Sequence, residues 1–491
     1  MSPLHLALLI HAHQPLGNFD GVLEEVYRLA YLPFVETLEQ HPAIRIAFHY
    51  SGILLEWLEK QHPDYIEKLR GMVERGQAEM LGGGYYEPVL SAIPERDRLA
   101  QLERMSDYLE RRFGRRPRGA WLTERVWDPT LPETLARAGV AYTLTDDYHF
   151  LSVGLQKDQL YGYYLTSWQG WSVKVLPGLK SLRYLLPFRM ESEAIACLRQ
   201  IAEKPHEGPA GALAAMGDDL EKFGAWPETH QHVYTDGWLR RFFEAVEQAS
   251  EWLTMKLPGD YVEANPPLGL IYLPTASYQE MMGWALPFGA GEKYETLLHR
   301  VEQMPDGETL APFVHGGVWH NFFHKYEEAN HLHKRMLDLS MRYGAVGKKG
   351  RARSPEIYRQ GYEELLRAQC NDAYWHGVFG GLYAPHLRTS VYRSLLRAEQ
   401  AVETLAPAAR KARRCDFNLD GAEEIFLSNE ALGLIVAPAD AGTVAEIDFR
   451  PRAFNAINSL RRRPESYHTR LRETQRDEAG GAVSIHDRVI A

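Results

Sequence analysis

The sequence predicts an α/β fold in which a parallel barrel is followed by a helical bundle and then by a region of short strands. Three observations predict it. Short apolar segments alternate with amphipathic helical segments over residues 1–285, and a polar side chain closes nearly every apolar segment. From about 290 to 405 helical periodicity dominates, and after 415 short strands and turns follow. Alternating strands and helices produce right-handed crossovers and a parallel sheet.

The barrel elements follow one another in order. Predicted strands lie at 4–13, 44–50, 78–84, 119–124 and 141–147, and predicted helices lie near 22–40, 53–75, 95–112 and 131–138. The polar residues at the strand ends are His11 and His13, His49, Glu124, and Asp146. In parallel α/β barrels the C-terminal ends of the strands share one face, and that face holds the active site. We therefore expect a barrel with a polar mouth.

The remaining elements define three predicted domains. Residues 160–187 alternate and are aromatic, which is typical of a β-hairpin insertion, and the α/β pattern resumes at 212–227, 236–254 and 269–281. Strong helical segments at 326–343, 355–370 and 388–404 indicate a bundle, and 405–414 is a basic linker. The predicted boundaries are 1–285 for the barrel, 286–405 for the bundle, and 406–491 for the linker and the strand-rich region.

Composition excludes several classes of partner. The chain has 491 residues and a net charge of -10, which argues against nucleic acid or an anionic membrane as the main partner. Cys197, Cys370 and Cys415 share no metal-type spacing, and this usage suits a reducing compartment. The apolar run Leu6–Ile10 has no basic segment before it and no cleavage site after it, so we interpret it as the first strand rather than a signal peptide. We expect a cytoplasmic protein.

Two carboxylates have the environment that acid–base chemistry at a sugar acetal needs. Glu124 ends an apolar strand between two tryptophans, in "GAWLTERVWDP", and Asp219 ends another apolar stretch, in "GDDLE". In an extended chain Asp219 and Glu221 point to one side and Asp218 points away. The alternative is that Glu124 pairs with Arg125 and that the acids at 218–221 cap the next helix. The many aromatics, 11 Trp and 26 Tyr, also suit sugar rings.

Histidines and a polar loop raise the question of metals. His11 and His13 in "HAHQP" have a common ligand spacing, but on one face of a strand they could equally bind sugar hydroxyls. The segment "DFNLDGAEE" begins like an EF-hand loop, yet its twelfth position is Leu427, so that interpretation fails. A shorter calcium loop would use the oxygens of Asp416, Asn418, Asp420 and Glu424; the alternative is a polar turn before a strand.

Five segments in order resemble the motifs of glycoside hydrolase family 57, most closely its 4-α-glucanotransferase and α-amylase members. They are "HAHQP", "GQAEMLGGGYYEPVLSAIPERD", "WLTERVWDP", "DDLEKFGAWP" and "YWHGVFGGLYAPHLR", and they span residues 11–388. The resemblance implies a distorted (β/α)7 barrel, a helical domain and a C-terminal β-sandwich. It also implies retaining chemistry on α-1,4-glucans and maltooligosaccharides, with no cofactor for catalysis.

The resemblance also implies roles for individual residues. Glu124 matches the family's nucleophile, and Asp219 matches its general acid/base. The positions that match the substrate groove are His11, His13, Gln14, Glu79, Trp121, Glu221, Trp226, Trp375 and His376.

The C-terminal region departs from the family pattern. Members of this subgroup carry a large β-sandwich, so residues 406–491 are expected to be the beginning of that domain, and incomplete. The predicted function is 4-α-glucanotransferase; hydrolytic α-amylase is the alternative, and a metal-dependent deacetylase with His11, His13 and an acid as ligands is a more distant one. The sequence alone does not decide between transfer and hydrolysis, and it leaves the oligomeric state open.

Overall fold

A computed structural model of the protein describes residues 3–204, 211–377, 381–406 and 412–468. The strands are β1 (Leu4–Ala12), β2 (Ile46–Tyr50), β3 (Ala78–Met80), β4 (Gly119–Ala120), β5 (Tyr142–Asp146), β6 (Tyr164–Trp168), β7 (Trp171–Gly178), β8 (Ala212–Asp219), β9 (Leu253–Met255), β10 (Gly269–Leu270), β11 (Arg413–Cys415), β12 (Glu424–Ser428), β13 (Leu432–Ala437), β14 (Thr443–Phe449) and β15 (Phe454–Asn455).

The α-helices are α1 (Asp20–Val26), α2 (Leu32–Glu39), α3 (Gly52–Gln61), α4 (Pro63–Glu74), α5 (Glu95–Phe113), α6 (Leu131–Arg137), α7 (Asp147–Leu151), α8 (Lys180–Leu185), α9 (Glu191–Ala202), α10 (Trp238–Gln248), α11 (Pro258–Ala264), α12 (Gln279–Trp284), α13 (Phe288–Glu302), α14 (Gly307–Leu310), α15 (Asn321–Lys325), α16 (Glu327–Ala345), α17 (Lys348–Arg353), α18 (Pro355–Arg367) and α19 (Pro385–Leu405). Short 3₁₀ turns at Thr123–Arg125 and Leu220–Phe223 follow β4 and β8.

Seven parallel strands close into the barrel. β1 pairs with β2 on one side and β8 on the other, and β2 pairs with β3. A parallel bridge between Gly82 and Ala120 carries the ring to β4, and the pairs β4–β5, β5–β7 and β7–β8 complete it. All of these pairings are parallel, so the C-terminal ends of the seven strands share one face. The predicted (β/α)7 barrel is confirmed.

Inward and outward side chains of the barrel form two separate cores. In β1, Leu6 and Leu8 belong to the large core shared with the helices, whereas Ala7 and Leu9 belong to a compact core inside the barrel. The inner core also contains Ala47, Leu81, Tyr142, Leu144, Leu176, Leu213, Ala215 and Tyr261. A barrel of few strands has a narrow interior, and the alternation of alanine with larger residues fits it. This apolar layer forms the floor beneath the mouth.

Some predicted elements have different bounds. The predicted strand 119–124 contains only β4, because the chain leaves the sheet after Ala120. The predicted helix 53–75 is two helices, since Pro63 opens α4 and cannot continue a helix from α3. The predicted hairpin at 160–187 forms between antiparallel β6 and β7, but β7 is also a barrel strand rather than part of an insertion.

Helices α13 to α19 follow the barrel. The predicted boundary at 285 falls in the short connection between α12 and α13, and the boundary at 405 falls at the end of α19. β11 to β15 then form one antiparallel sheet. Residues 407–411 of the predicted linker, 378–380 of the fifth motif and 469–491 of the predicted C-terminal region lie outside the described residues.

Buried ion pairs join the helical region to the C-terminal segments. Arg335 of α16 contacts Glu446 of β14 at 2.9 Å. Beyond the sheet, Glu465 contacts Lys325 at 2.6 Å and accepts a hydrogen bond of 2.7 Å from Tyr326. The side chains of Lys325 and Glu465 are only 5% and 2% exposed, so the segment after β15 is packed into the helical region.

Candidate active site

Three polar side chains form one layer at the mouth of the barrel. In the strand registers His11 of β1 is level with His49 of β2 and with Asp219 of β8. The same strands contribute Leu9, Ala47 and Gly217 to the layer below. A methyl group at Gly217 would lie 2.8 Å from the Leu144 side chain and 3.0 Å from Trp121, so glycine allows Trp121 to pack just beneath the mouth. The polar layer therefore lies directly on the inner core.

Glu124 reaches this layer by a turn rather than by a strand. Glu124 and Arg125 have φ angles of 53° and 46°, a left-handed backbone that non-glycine residues rarely adopt. The Ser277 hydroxyl donates to the Glu124 carbonyl oxygen at 2.5 Å, and the Tyr278 hydroxyl donates to Glu124 Oε2 at 2.7 Å. Two consecutive residues in this conformation are costly, and such geometry concentrates at functional sites. The turn aims the carboxylate into the mouth.

Glu124 and Asp219 line the same narrow cavity, whose volume is about 40 Å³. The other lining residues are His11, Trp121, Arg125, Arg183, Asp218, Trp226, Tyr278 and Trp284. The structure thus brings together the two carboxylates that the sequence singles out. The alternative pairing of Glu124 with Arg125 is not formed, because Arg125 Nε contacts Asp146 at 2.9 Å instead.

A buried ionic network surrounds the two carboxylates. Arg183 donates to Asp146 at 2.7 Å and lies 3.5 Å from Asp218, which is also paired with Lys222. Burial alone would raise the pKa of Asp218, but Lys222 and Arg183 hold it below its ordinary value. The positive charge of Arg125 lowers the pKa of both Glu124 and Asp219, and Lys222 and Arg183 add to this effect at Asp219. These cations favour an ionised carboxylate in the Glu124–Asp219 pair.

The two candidate catalytic carboxyls have raised pKa values. The pKa of Glu124 is raised to about 7. Burial and the charge of Asp219 raise this pKa, while the Tyr278 hydrogen bond and the charge of Arg125 partly offset the rise. Burial and the neighbouring charge of Asp218 raise the pKa of Asp219. Like charges that share a low-dielectric site cannot both ionise readily. The pair therefore retains a proton into the neutral pH range.

His11 and His13 lie on the same side of β1 but have different partners. His11 Nδ1 is 2.8 Å from His49 Nδ1, and its ring stacks on Trp121 with centroids 4.7 Å apart. His13 Nε2 is 2.9 Å from Asp372 Oδ2. Burial lowers the pKa of His11, whereas for His13 the effect of Asp372 outweighs burial and raises the pKa. The mouth therefore combines a neutral imidazole with a cationic one.

The histidine geometry does not support the zinc alternative. His11 and His13 fall into two separate groups of ligand-type residues, His11 with His49 and Glu87, and His13 with Cys370 and Asp372. In the first group the contact between the two Nδ1 atoms requires one protonated and one bare Nδ1. Only one of the two neutral rings then has a free lone pair on Nε2. The expected pair of ligands, His11 and His13 with an acid, is not formed.

Gln14 and Glu221 support the mouth from behind. Gln14 Nε2 donates to the Tyr31 hydroxyl at 2.9 Å, and that hydroxyl donates to Glu221. Glu221 also accepts a hydrogen bond of 3.1 Å from the His13 backbone amide. Burial and the charge of Asp219 raise the pKa of Glu221 to about 7. These residues fix the position of His13 and lie next to the cavity lining.

The predicted aromatic groove residues divide into two sets. Trp121 and Trp226 line the cavity, and the half-buried Trp226 ring stacks on Phe188 with centroids 5.8 Å apart. Trp375 donates through Nε1 to Asn371 at 2.7 Å and stacks near Trp284 at 6.4 Å. Trp375 therefore supports a lining residue.

His376 faces the C-terminal segment rather than the mouth. Its Nε2 is 2.6 Å from the Tyr467 hydroxyl, and its ring meets Tyr383 edge-on at 4.6 Å. The cavity lined by Glu124 does not include it.

The structure corrects the prediction that Glu79 lines the substrate groove. It is level with Leu9 and Ala47 in the strand registers, so Leu81 and the inner core separate it from the mouth. Its carboxylate contacts Arg118 at 3.1 Å and accepts from the Gly259 amide at 3.0 Å, at the opposite end of the barrel. Glu79 anchors the bottom of the barrel and does not line the substrate cavity.

Glu87 is a mouth residue that the sequence reasoning missed. It accepts a hydrogen bond of 3.0 Å from Thr123 and lies 3.7 Å from His11 Nε2. Its φ of 54° is left-handed, and Asn371 binds its carbonyl oxygen at 2.8 Å. Burial raises the pKa of Glu87 to about 8. The available signal was its position in "GGGYYEP", a glycine-rich turn inside the second motif.

In the loop at 416–424, side-chain oxygens accept hydrogen bonds from the backbone amides of the loop itself. Asp416 accepts from the amides of Asp420 and Gly421 at 3.1 and 3.0 Å, and Asn418 donates to Glu424 at 3.1 Å. The loop precedes β12, as the polar-turn alternative requires. Calcium binding by Asp416, Asn418, Asp420 and Glu424 stays a prediction.

Family models match most of the chain. The model described as glycosyl hydrolase family 57 matches residues 7–274. The models for the middle and C-terminal domains of alpha-amylase/4-alpha-glucanotransferase match residues 317–402 and 416–491.

Individual relatives of the chain belong to the same group of enzymes as these family models. Alpha-amylase 1 of Dictyoglomus thermophilum is 42% identical over 489 residues, covering 99% of this chain and 69% of the relative. The 4-alpha-glucanotransferase of Thermococcus kodakarensis is 42% identical over 479 residues, covering 97% and 70%. The crystal structure of 4-alpha-glucanotransferase from Thermococcus litoralis superimposes with a TM-score of 0.88 at 40% identity, covering 97% of this chain and 71% of that one.

Proposed function

Because the chain belongs to glycosyl hydrolase family 57, we propose that it acts with retention on α-1,4-glucans and maltooligosaccharides and that its main reaction is 4-α-glucan transfer. The observation that carries this proposal is the convergence of Glu124 and Asp219 on one cavity at the barrel mouth. Relatives that are 40% to 43% identical are named 4-alpha-glucanotransferase or alpha-amylase, which supports an α-glucan substrate.

In the first step Glu124 is the nucleophile and Asp219 the general acid. A carboxylate oxygen of Glu124 attacks the anomeric carbon while the bond from that carbon to the bridging oxygen breaks. Asp219 gives its proton to the departing oxygen, so the leaving oligosaccharide ends in a neutral 4-hydroxyl. The products of this step are a β-glycosyl ester of Glu124 and an ionised Asp219.

In the second step Asp219 acts as a base. It takes the proton of an acceptor hydroxyl, whose oxygen attacks the anomeric carbon and releases Glu124 as a carboxylate. A sugar 4-hydroxyl as acceptor gives transfer, and water gives hydrolysis. Two successive inversions restore the α-configuration.

The buried charges around the pair suit this cycle. The nearby Arg125 favours an ionised carboxylate, and the Tyr278 hydroxyl stabilises that charge on Glu124. In the free protein the raised pKa of Glu124, about 7, leaves it partly protonated near neutrality. Positive charge that develops at the anomeric carbon beside Glu124 favours its ionised form and leaves the proton on Asp219.

Substrate entry requires the rim of the cavity to move. A volume of about 40 Å³ is the size of a water molecule rather than of a sugar ring. The half-buried Trp226 is the rim residue best able to swing outward, whereas Trp121 is buried beneath His11. We assign His11 and His13 to the bound sugar, Trp121 to the support of His11 from below, and Trp226 to the rim.

Hydrolysis is the second candidate reaction, because several relatives of similar identity are named alpha-amylase. Incubation with maltotriose separates the two. Transfer yields maltotetraose and longer products with a constant number of reducing ends, while hydrolysis yields only shorter products and raises that number. The Glu124→Gln variant is the control. If chromatography finds maltotriose unchanged by the unmodified protein, the proposed function is wrong.

We further propose that the protein works in the cytoplasm. Cys197, Cys370 and Cys415 are all free thiols, as a reducing compartment favours. Among the described helices, none combines the length and the apolar character that crossing a membrane requires.

A further inference from the structure

A second and much larger cavity lies beside the catalytic one. Its volume is about 760 Å³, within the range of small-molecule binding sites. It opens beyond the C-terminal ends of β5 and β7, and its walls come from α7, α8, α9 and residues 302–312 of the helical region. The exposed side chains of Lys157 and Glu308 form an ion pair across its edge. The cavity is therefore enclosed jointly by the barrel and the helical region.

Two pairs of consecutive residues form the wall between the cavities. Tyr278 binds Glu124 in the catalytic cavity, and the next residue, Gln279, accepts a hydrogen bond of 2.8 Å from Lys180 Nζ in the second one. Asp146 binds Arg125, and the next residue, Asp147, accepts a hydrogen bond of 2.8 Å from the Lys180 amide. Tyr278 and Gln279 thus line the two cavities from consecutive positions, while Asp146 supports the catalytic cavity from behind, through its contact with the lining residue Arg125.

The lining of the second cavity suits a neutral, polyhydroxylated ligand. Three lysines and three carboxylates balance in formal charge, so neither an anion nor a cation is favoured overall. Tyr148, Tyr161 and Tyr184 supply aromatic faces for apolar C–H surfaces. Gln200, Gln279 and Lys180 supply donors and acceptors that pair with hydroxyl groups. A sugar chain presents both kinds of surface.

We propose that this cavity is a second binding site for a maltooligosaccharide segment, held beside the catalytic cavity and separate from it. The identity of the ligand rests on the proposed function, since that function makes α-glucans the polymer that the protein meets. Tyr161, half-buried at the cavity wall, is the residue assigned to stack on a glucosyl ring.

Cys197 lines the second cavity and provides a direct probe of its occupancy. The Glu124→Gln variant is alkylated with iodoacetamide in the presence and absence of maltotetraose, and mass spectrometry follows each cysteine separately. This variant keeps the sugar intact. We expect alkylation of Cys197 to slow about tenfold when the concentration of maltotetraose is ten times its Kd for the second cavity. The half-buried Cys415, in the C-terminal sheet, is the internal reference and keeps its rate.

Substitutions at Tyr161 test the assignment of the ligand. Tyr161→Ala is expected to remove the protection and Tyr161→Phe to retain it, because the ring and not the hydroxyl makes the contact. Thermal unfolding checks that both variants are folded. Gln200→Trp, at an exposed cavity residue, fills the opening and is expected to remove protection even if Tyr161→Ala fails to fold.

Three results would overturn the proposal. The first is an alkylation rate of Cys197 that stays unchanged over the whole range of maltotetraose concentrations. The second is protection that persists in Tyr161→Ala or Gln200→Trp. The third is protection by decanoate and not by maltotetraose, which would assign an apolar ligand. None of these depends on turnover, so failure of the catalytic proposal, measured as unchanged maltotriose with the unmodified protein, is a separate outcome.

Discussion

The hydroxyl group of Tyr278 donates a hydrogen bond of 2.7 Å to Oε2 of Glu124. The same ring packs against two buried cations, with Arg125 and Arg183 at 4.7 and 5.5 Å from its centroid. One buried side chain therefore orients the carboxylate and positions the positive charges behind it. We infer that Tyr278 is a positioning residue for the nucleophile.

Tyr278→Phe should shift the acid limb of the pH profile of kcat/KM to higher pH. The hydroxyl lowers the pKa of Glu124, so its loss raises that pKa, and the ionised nucleophile appears only at higher pH. A hydrogen bond to a charged group contributes about 1.5–3 kcal/mol, so we expect activity on the acid side to fall ~10- to 100-fold. Tyr163→Phe, which alters a hydroxyl bonded to the Asn265 carbonyl, is the matched control. An unmoved acid limb would contradict the assignment.

Glu124→Gln should lose at least ~10³-fold in kcat while maltotetraose binding is retained. Glu79→Gln is the matched control, since it alters a second buried glutamate of the barrel that lies away from the mouth. That variant should keep its turnover and lose thermal stability, because Arg118 is left without its buried partner. Both are measured by maltotriose turnover and by the unfolding temperature. Near-normal kcat in Glu124→Gln would refute the nucleophile role.

Asp219→Asn should be sensitive to the leaving group of the substrate. A glucan needs protonation of its departing oxygen, whereas 4-nitrophenolate departs without it. Glycosylation by 4-nitrophenyl maltosides should therefore persist, and the glycosyl-enzyme should accumulate because no base activates the acceptor. Added azide, a nucleophile that needs no base, should restore turnover and yield the α-glycosyl azide. If natural and activated substrates are equally slowed, Asp219 is not the acid.

The mouth should lose stability as the pH rises. Burial raises the pKa of Glu124 and Glu221 to about 7 and that of Glu87 to about 8, so the folded protein binds these protons more tightly than the unfolded chain. The free energy of unfolding therefore falls with increasing pH between the ordinary pKa of 4.5 and these values.

Glu124→Gln removes one of these groups. The free energy of unfolding of this variant, relative to that of the unmodified protein, should therefore increase between pH 5 and pH 8. The gain is on the order of 3 kcal/mol at most. Denaturant unfolding at the two pH values measures it, and Glu430→Gln, at an exposed position, is the control. An identical difference at both pH values would show that Glu124 does not titrate in this range.

Calcium should raise the unfolding temperature if the loop at 416–424 binds it. We expect a rise of about 2 °C with calcium in excess and none with magnesium. Asp416→Ala should abolish the rise, and Asp440→Ala, in a neighbouring turn of the same sheet, should not. Catalytic rates should be independent of calcium throughout, since the loop lies outside the barrel. A shift that survives Asp416→Ala would place the ion elsewhere.

The barrel could be predicted from sequence because its signal is local. In β1 each strand residue alternates between the two cores, and the change from Ile10 to His11 marks the mouth without reference to any other strand. The turn at Glu124 has no such signal. The turn contains no glycine that would indicate a left-handed backbone. Hydrogen bonds from Ser277 and Tyr278, in a distant part of the chain, stabilise it. The strand was therefore predicted too long.

The sequence also does not predict at which end of the barrel an inward-facing residue lies. Glu79 and Glu87 lie eight residues apart in one motif. Alternation correctly places Glu79 inside the barrel, but it cannot say at which end. Only the strand registers separate Glu79, level with Leu9, from the mouth beside which Glu87 lies. The same holds for the Arg125–Asp146–Arg183 network. Its members come from the turn after β4, the end of β5 and helix α8, and they meet only when the ring closes.

The buried contact between Lys325 and Glu465 sets a lower limit on how far this chain can be shortened. A version cut after β15 would retain every strand that the structure describes, yet it would remove the carboxylate that pairs with the buried Lys325 ammonium group. Breaking a buried pair in this way costs about 3–5 kcal/mol, a large part of the stability of a typical domain. A shortened chain therefore has to keep Glu465, an electrostatic partner that lies ten residues beyond β15.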